Sequence, residues 1–301
     1  MQDYIVRAVT DDGLIRAFGC YTKNTVEKSR NYHNTSPVAT AALGRLLTAA
    51  AMMGSMLKGE KDLVTLQLNG NGPLGRVLAV SGCDCRVKGY VDNPVVDSPL
   101  NSAGKLDVGS AVGTDGFITV IQDLGLKEPY IGKIPLVSGE VGDDLVKYFA
   151  ISEQVPSIVA LGVLVDKDFS VKNSGGFIIQ VMPGATDEDI TKLEENIKNV
   201  KSVTQMLEDG MNIEEIMGVA LAGFDFHFTD KKDVEYYCNC SRKRVRKVLK
   251  SIGADEIEAI INEDGKAELD CHFCNEKYLF NMDDLQEILA EIKAQSEGAD
   301  Q

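Results

Sequence analysis

The sequence is poor in histidine, in long apolar runs and in the features of an export signal. Only three histidines occur, and neither a G-x-S-x-G motif nor a papain-like cysteine context accompanies them, so we expect no hydrolase and no other enzyme. No run of about 18 apolar residues is present. The opening Met1-Gln2-Asp3-Tyr4 lacks the basic and apolar regions of a secretory signal. We therefore expect a cytoplasmic protein without a membrane span.

Positive charge is scarce as well. The chain has 31 basic and 46 acidic residues, which give a formal net charge of −15. Such a charge repels a phosphate backbone unless a local basic face compensates, so nucleic acid is a poor candidate partner. The length of 301 residues is enough for about two domains with sizeable cores.

Residues 1–182 combine strand and helix signals. Two strand patterns around Asp11-Asp12-Gly13 predict a hairpin, and a breaker-free helical pattern runs from Thr40 to Met56. A second helical pattern covers Asp143 to Glu153. Further strand patterns lie at 63–68, 76–80, 85–91, 116–122, 157–165 and 176–181. We predict the α+β class, with a mixed-sheet N-terminal core domain and covering helices in this segment.

Residues 183–232 have the character of a helical linker region. Thr186 to Asp189 resembles a capping box, and an apolar stripe at helical spacing follows, which predicts one amphipathic helix over 186–209. Asn212 is expected to cap a second helix over 213–222. The stripe is best explained by packing on the N-terminal domain, although it also suits partner binding; its first four members are Ile190, Leu193, Ile197 and Val200.

Residues 233–294 have the features of a small metal domain, and the polar segment 295–301 is expected to be a disordered tail. Ser241 is a predicted cap for a basic helix, Asp264-Gly265 predicts a hairpin, and Asp283-Asp284 opens a final helix that we expect to end near Ala294.

Seven cysteines are an odd number, which suits reduced thiols or metal ligands better than a fixed disulfide framework. Four form two close pairs, Cys238-Asn-Cys240 and Cys271-His-Phe-Cys274. Four thiolates can surround one Zn²⁺ tetrahedrally, so we predict one zinc ion per chain. The C-x-C spacing is unusual for structural zinc and permits a strained, easily reduced disulfide. We expect His272 in the turn between ligands, not on the metal.

A basic run follows the first cysteine pair. Cations beside a thiol favour the thiolate and its oxidation. Two alternatives remain open: the charges offset the formal −2 of a zinc centre with four thiolates, or they contact nucleic acid. The run comprises Arg242, Lys243, Arg244, Arg246, Lys247 and Lys250.

Other motifs carry less weight. Gly70-Asn-Gly72-Pro-Leu-Gly75 matches G-x-G-x-x-G, but a strand pattern follows it where a dinucleotide fingerprint needs a helix. We predict that Cys83 and Cys85 are structural thiols, and that Cys20 acts as a small hydrophobic residue on a strand. His227 alternates within a strand pattern and is expected to be structural.

The whole chain resembles the 33 kDa heat-shock chaperonin family of redox-regulated chaperones. The resemblance lies in Tyr237-Cys-Asn-Cys-Ser241 with its basic run, in Cys271-His-Phe-Cys274 before Asn275-Glu-Lys-Tyr278, and in Ser29-Arg-Asn-Tyr-His33 and Gly72-Pro-Leu-Gly75. The four predicted ligand positions show no departure from the family motif.

The resemblance implies an ATP-independent holdase that prevents aggregation of unfolding proteins under oxidative stress. It implies that the reduced form, with zinc on Cys238, Cys240, Cys271 and Cys274, is inactive. Oxidation would form the disulfides Cys238–Cys240 and Cys271–Cys274, release zinc and expose a client-binding surface. Dimerisation on activation is a further implication. The apolar stripe of the helical linker region is the candidate client contact.

Two other classes of protein remain as alternatives to a chaperone. An enzyme or RNA-binding factor with a purely structural zinc domain would bind nucleic acid with a steep salt dependence. A thiol–disulfide oxidoreductase would carry its C-x-x-C at a helix N-terminus, whereas Cys271 and Cys274 stand between strand-like segments.

Overall fold

The structure is a computed structural model that describes residues 2–97, 100–102 and 104–299. It divides into two compact units, Met1–Tyr237 and Cys238–Gln301. Both contain strands and helices, so the predicted α+β class is confirmed. The finer division at 182 and 232 stays a prediction about which segments behave independently.

The elements follow one another closely along the chain. The strands are β1 (Tyr4–Thr10), β2 (Ile15–Tyr21), β3 (Leu63–Asn69), β4 (Val77–Gly82), β5 (Arg86–Val91), β6 (Phe117–Asp123), β7 (Tyr130–Pro135), β8 (Ser157–Val165), β9 (Val171–Val181), β10 (Phe226–Asp233), β11 (Glu235–Tyr236), β12 (Ala267–Asp270) and β13 (Lys277–Phe280). The helices are α1 (Lys23–His33), α2 (Pro37–Ser55), α3 (Val108–Val112), α4 (Gly142–Tyr148) with a π-helical turn at Phe149–Glu153, α5 (Asp187–Lys198), α6 (Val203–Glu208), α7 (Ile213–Ala220), α8 (Arg242–Ser251), α9 (Ala254–Glu263) and α10 (Met282–Ala299).

The first unit is built from two sheets. The first sheet has the antiparallel order β10-β1-β2-β9-β8, and the second has the order β11-β5-β4-β3-β6-β7. The second is mixed, because β11 runs parallel to β5. The predicted hairpin β1–β2 is confirmed, and the strand patterns predicted at 63–68, 76–80 and 85–91 form the antiparallel meander β3–β4–β5.

Helix α2 lies between the two sheets, where it contacts β2, β8 and β9 on one side and β3, β4 and β5 on the other. It is long and apolar enough to cross a membrane by composition, but 94% of its 18-residue apolar window is buried inside the protein. Small residues let the sheets approach it. A Cβ at Gly54 would lie 2.6 Å from the Gly82 carbonyl oxygen, so a larger residue would push β4 away from α2. With a sheet packed on either side, α2 is the central core helix of this unit.

A second core lies on the other face of the first sheet, under α5, α6 and α7. It is built from alternate residues of the strands, such as Ile15 and Phe177, and from α6 and α7 residues such as Met206 and Met217. The single helix predicted over 186–209 is therefore wrong, because the chain breaks between α5 and α6. Ser202 causes the new start, since its hydroxyl accepts a hydrogen bond from the Gln205 N–H and caps α6.

Three helical boundaries also differ from expectation. Asp264-Gly265 does not join two strands; Gly265 has φ 65° and closes α9 with a hydrogen bond to the Ile260 carbonyl, because glycine adopts the left-handed conformation easily. The tail predicted to be disordered from residue 295 instead continues α10 to Ala299, because it has no proline and contains strong helix formers. Residues 300 and 301 lie outside the described residues. Helix α1 was not predicted.

The glycine motif at Gly70 to Gly75 serves backbone packing. A Cβ at Gly70 would lie 2.1 Å from the Gly113 carbonyl oxygen, and one at Gly72 would lie 2.5 Å from that of Ala111. No side chain fits these positions. The chain continues into β4, a strand, so the motif lacks the helix that a dinucleotide site requires.

Candidate metal centre

The second unit has a very small apolar core. Among the residues of this unit that the structure describes, five apolar side chains are buried and pack into one cluster. They come from α8, α9, β13 and α10: Leu249, Ile257, Phe280, Leu285 and Ile288. A segment of this size buries too little apolar surface to be secure without a further source of stability. A metal site is one such source.

Four half-buried cysteines meet in this unit. The Sγ atoms of Cys238 and Cys271 are 3.6 Å apart, and those of Cys240 and Cys274 are 3.3 Å apart. All four sulfur atoms lie within 4.8 Å of one another. Tetrahedral zinc with Zn–S bonds of ~2.3 Å places its sulfurs about 3.8 Å apart, so the arrangement fits a four-thiolate zinc site.

Local structure explains how the two motifs reach one point. Ser241 caps α8 by accepting a hydrogen bond from the Arg244 N–H, as predicted, and this fixes the chain directly after Cys240. The second motif forms a tight turn between β12 and β13, in which the Cys274 and Asn275 N–H groups donate to the Cys271 carbonyl. Asn275 has φ 55°, a conformation that asparagine tolerates.

The protonation of the thiols depends on their mutual contacts. Burial raises the pKa of Cys238 to about 11 and also raises the pKa of Cys274. Burial acts in the same direction on Cys240, but hydrogen bonds from Tyr278 and the neighbouring thiols outweigh it and lower the pKa of that thiol. A bound dication would replace the protons of such closely spaced thiols, because metal ligands bind as thiolates.

The Tyr278 hydroxyl is a contact that sequence reasoning missed. It donates a hydrogen bond of 3.1 Å to the Cys240 sulfur, and this contact raises the pKa of Tyr278. Tyr278 lies on β13, four residues after Cys274, and this short spacing was the signal in the sequence that could have indicated the contact. Such outer contacts orient metal ligands and tune their basicity.

The basic run lies on α8, and several of its side chains have partners. Arg242 pairs with Asp284, while Arg246 pairs with Glu287 and Glu291. Arg244 donates to the carbonyl of Asn239, between the first two cysteines, at 3.3 Å. Lys243 and Lys247 are exposed. The role of the run in activating thiolates stays a prediction.

The remaining cysteines lie in the first unit. Cys20 on β2 is fully buried, as predicted, and burial raises its pKa. Cys85 is also fully buried, and burial raises its pKa to about 11. Cys83 is half-buried at the turn before β5. The metal-like cluster consists of the other four cysteines and does not include His272.

The predicted client stripe lies on α5 and just after it. Leu193 is 1% exposed in the core under α5, α6 and α7, the linker helices, and Ile197 and Val200 pack against the same core. Ile190 is half-buried. Packing on the first sheet, which we expected from the spacing, is therefore the observed state of this stripe. Its use for clients stays a prediction.

Helix α7 is attached to the first sheet by a polar contact as well. The Tyr4 hydroxyl donates to the Glu214 carboxylate at 2.5 Å, and the Lys231 ammonium donates to it at 2.7 Å. Burial works to raise the pKa of Glu214, but these hydrogen bonds outweigh it, so the pKa lies below its usual value. The contact therefore favours the ionised carboxylate and a docked α7.

The fold and the site define an α+β protein whose C-terminal unit holds four thiols at the spacing of ligands to one metal ion. A family model described as "Hsp33 protein" matches residues 3–281. The chain is 52% identical to the 33 kDa chaperonin of Alkaliphilus metalliredigens over 97% of this chain and 100% of that protein. It is 49% identical to the 33 kDa chaperonin of Clostridioides difficile with the same coverage.

A solved structure supports the same family. The crystal structure of the 33 kDa chaperonin from Thermotoga maritima superimposes with a TM-score of 0.90 at 37% identity, covering 97% of this chain and 99% of that one. The chain belongs to the Hsp33 family. Membership gives it a chaperone function, with unfolded proteins as the partners that such a function implies, and the chaperonin names of its relatives denote a non-enzymatic role.

Proposed function

We propose that the chain is a redox-regulated, ATP-independent holdase that works in the cytoplasm under oxidative stress. The observation that carries the proposal is the convergence of four cysteine sulfurs within 4.8 Å in a unit with a very small core. Membership of a chaperone family supports the holding activity, and the thiol cluster supports its control by oxidation.

In the reduced form, one zinc ion would be held by Cys238, Cys240, Cys271 and Cys274. Structural zinc sites of this kind have apparent binding free energies of ~10–16 kcal/mol, which would exceed any other contribution to the stability of the second unit. We therefore expect the fold of this unit to depend on its metal.

Oxidation removes the metal ligands. Four thiolates lose four electrons and form two disulfides, and two molecules of hydrogen peroxide accept these electrons and yield four hydroxide ions, with zinc released. The family resemblance implies the pairs Cys238–Cys240 and Cys271–Cys274. The shortest sulfur distances instead join the two motifs, as they do for ligands of one ion, so the proposed pairing requires the sulfurs to move relative to one another as zinc is released.

The basic run would make the first cysteine pair, Cys238 and Cys240, react more readily with oxidants. The Arg244 guanidinium lies beside the Asn239 carbonyl, and Lys243 and Lys247 add exposed positive charge on the same helix. Positive charge near a sulfur favours the thiolate, which is the form that reacts with peroxide. Arg242 and Arg246 are proposed to contribute to the same field, although carboxylates offset them.

Loss of the second unit's fold would then release the linker helices. The chain passes from α7 through β10 and β11 directly into Cys238, so we propose that unfolding spreads along this path. Undocking of α5, α6 and α7 would uncover the apolar face of the first sheet and the stripe Ile190, Leu193, Ile197 and Val200. The net charge of −15 would keep complexes with clients soluble, and the activated form is proposed to dimerise.

Disulfide mapping combined with a holding assay tests this function. After peroxide treatment, peptide mass spectrometry should find the two disulfides within the motifs, in the same samples that suppress aggregation of an unrelated protein. A Cys238→Ser, Cys271→Ser double variant, which keeps one thiol in each motif, should form neither disulfide. Active samples in which all four cysteines remain reduced would exclude the proposed switch.

A further inference from the structure

Strand β8 is an unusual edge of the first sheet. Within the described ranges, β9 alone pairs with it, and its nine residues include neither a charge nor a proline. Natural edge strands are commonly short, charged, interrupted by proline or covered, because open backbone groups invite another strand. β8 has none of the sequence devices that discourage pairing.

Two backbone hydrogen bonds determine which backbone groups of β8 are open. The Val181 N–H donates to the Pro156 carbonyl, and the Thr22 N–H donates to the Ser174 carbonyl, each at 2.9 Å. The backbone N–H and C=O groups of odd-numbered β9 residues thus point towards β8, and those of even-numbered β9 residues point towards β2. With the observed register, even-numbered residues of β8 bond to β9, and the N–H and C=O groups of Leu161 and Val163 point away from the sheet.

Side-chain packing holds this edge in place. Val163 is 8% exposed in the core between the two sheets, and Leu161 packs against the same core. The open backbone groups therefore belong to an anchored strand and not to a mobile loop. Farther along the edge, the Val159 carbonyl faces Gly142 at the start of α4, which limits the open part to the second half of β8.

A cavity of about 700 Å³ lies along this half of β8. Leu161 to Val165 form one wall, and Pro37, Ala41 and Leu106 contribute further apolar surface. Pockets that bury a ligand have volumes of ~300–1,000 Å³, so there is room for a short extended segment. Thr204 of α6 stands at the end of the cavity against Gly162, so release of α6 would lengthen it.

The charge at this cavity is opposite to that of the whole chain. Arg45, Lys105 and Lys167 line it, against Asp166, whereas the chain has a net charge of −15. Arg45 is paired with Glu140. In the part of the chain that the structure describes, no carboxylate forms an ion pair with Lys105 or Lys167. The cavity therefore suits a segment that carries acidic residues beside apolar ones.

We propose that the open edge of β8, at Leu161 and Val163, binds an extended, apolar and acidic segment of an unfolded protein as an added β-strand. The proposal rests on the holdase function and names the site and the mode of binding. Main-chain hydrogen bonds recognise extended backbone whatever its side chains, which suits a chaperone whose partners are unfolded proteins. Lys105 and Lys167 attract the acidic residues of the segment.

Amide hydrogen exchange of the full chain tests the proposal. In the protein alone, the amides of Leu161 and Val163 should exchange much faster than those of Gly162 and Leu164, which bond to β9. After oxidation, addition of carboxymethylated α-lactalbumin, a permanently unfolded acidic protein, should protect the first two amides. Holding of a heat-denatured protein is measured in the same samples.

Paired variants separate the backbone group from the side chain. Leu161→Pro and Leu161→Ala both remove the leucine side chain, but only proline removes the outward N–H, and edge strands tolerate proline at such positions. We expect binding of the unfolded probe to be about three- to tenfold weaker for Leu161→Pro than for Leu161→Ala. Continued protection of Gly162 and Leu164 shows that the β8–β9 ladder is intact in both.

A pair of extended peptides tests the charge. One has alternating valine and threonine with glutamate at both ends, and the other has lysine at both ends. We expect the glutamate peptide to bind about fivefold more tightly at low salt. Equal affinity would overturn the role of Lys105 and Lys167.

The other outcomes are distinct. Intact holding without protection of Leu161 and Val163 would overturn the β8 proposal and leave the holdase function standing. Protection that rises with protein concentration without any probe would mean that a second copy occupies the edge, which also overturns the proposal. Absence of holding after oxidation would overturn both.

Discussion

Gly19 is the position where one added methyl group tests whether α7 keeps the protein inactive. Gly19 lies on β2 beneath α7, and a Cβ there would be 2.3 Å from Met217 Sδ and 2.4 Å from Ile213 Cγ2. Such distances do not occur in proteins, so Gly19→Ala forces the Met217 and Ile213 side chains to repack or α7 to move away from β2. Overpacking of this kind costs about 1–3 kcal/mol, which corresponds to a rise of about 5- to 150-fold in the undocked population.

We expect reduced, zinc-loaded Gly19→Ala to suppress aggregation without oxidation, in proportion to that population. Gly218→Ala is the matched control, because nothing lies within 4 Å of a Cβ at Gly218 on the same helix. Alanine there stabilises the helix by about 1 kcal/mol, so basal holding should fall and activation should slow. The assay is light scattering of a heat-denatured protein at several chaperone ratios. Equal basal holding in the wild type and both variants would refute the reasoning.

Three further predictions concern the linker helices and the thiol cluster. Ile197→Asp should weaken holding after oxidation, whereas Thr191→Asp, which adds the same charge at an exposed site of α5, should not; equal effects in the aggregation assay would remove the stripe from the client site. Because the pKa of Glu214 is lowered in the folded protein, its contribution to docking is complete above its unfolded pKa of ~4.3 and is lost as the pH falls through the folded pKa. Pepsin should therefore cleave the linker helices faster as the pH falls, and Glu214→Gln should flatten that pH dependence; an unchanged profile would contradict the assignment. Tyr278→Phe should weaken zinc binding by about 10–100-fold in competition with a chromophoric chelator, because it removes the hydrogen bond to Cys240; unchanged affinity would show that the bond is dispensable.

Local chemistry could be predicted from the sequence. Thr186, Asn212 and Ser241 all cap the helices that they were expected to cap, because a capping side chain acts on backbone only two or three residues away. The cysteine cluster was predictable for a related reason, since each pair of cysteines is held close by its own short motif. Such features need little knowledge of the rest of the fold.

Features that depend on distant residues could not be predicted. β10 pairs with β1 across more than 200 residues, and β9 separates β2 from β8 in the first sheet. The break between α5 and α6 lets both helices face the same sheet, which periodicity within one segment does not reveal. The bond from Tyr278 to Cys240 likewise depends on how β13 lies beside the first cysteine motif.

Oxidation of the cysteine cluster is proposed to turn on the holding of unfolded proteins. The direct test follows zinc release and suppression of aggregation in one sample before peroxide, after peroxide, and after reductant and zinc are added back. We expect that zinc leaves as holding appears, with one zinc ion released per chain, and that reductant with zinc reverses both. Holding that is the same in all three states would contradict this expectation and would leave the zinc site a purely structural element.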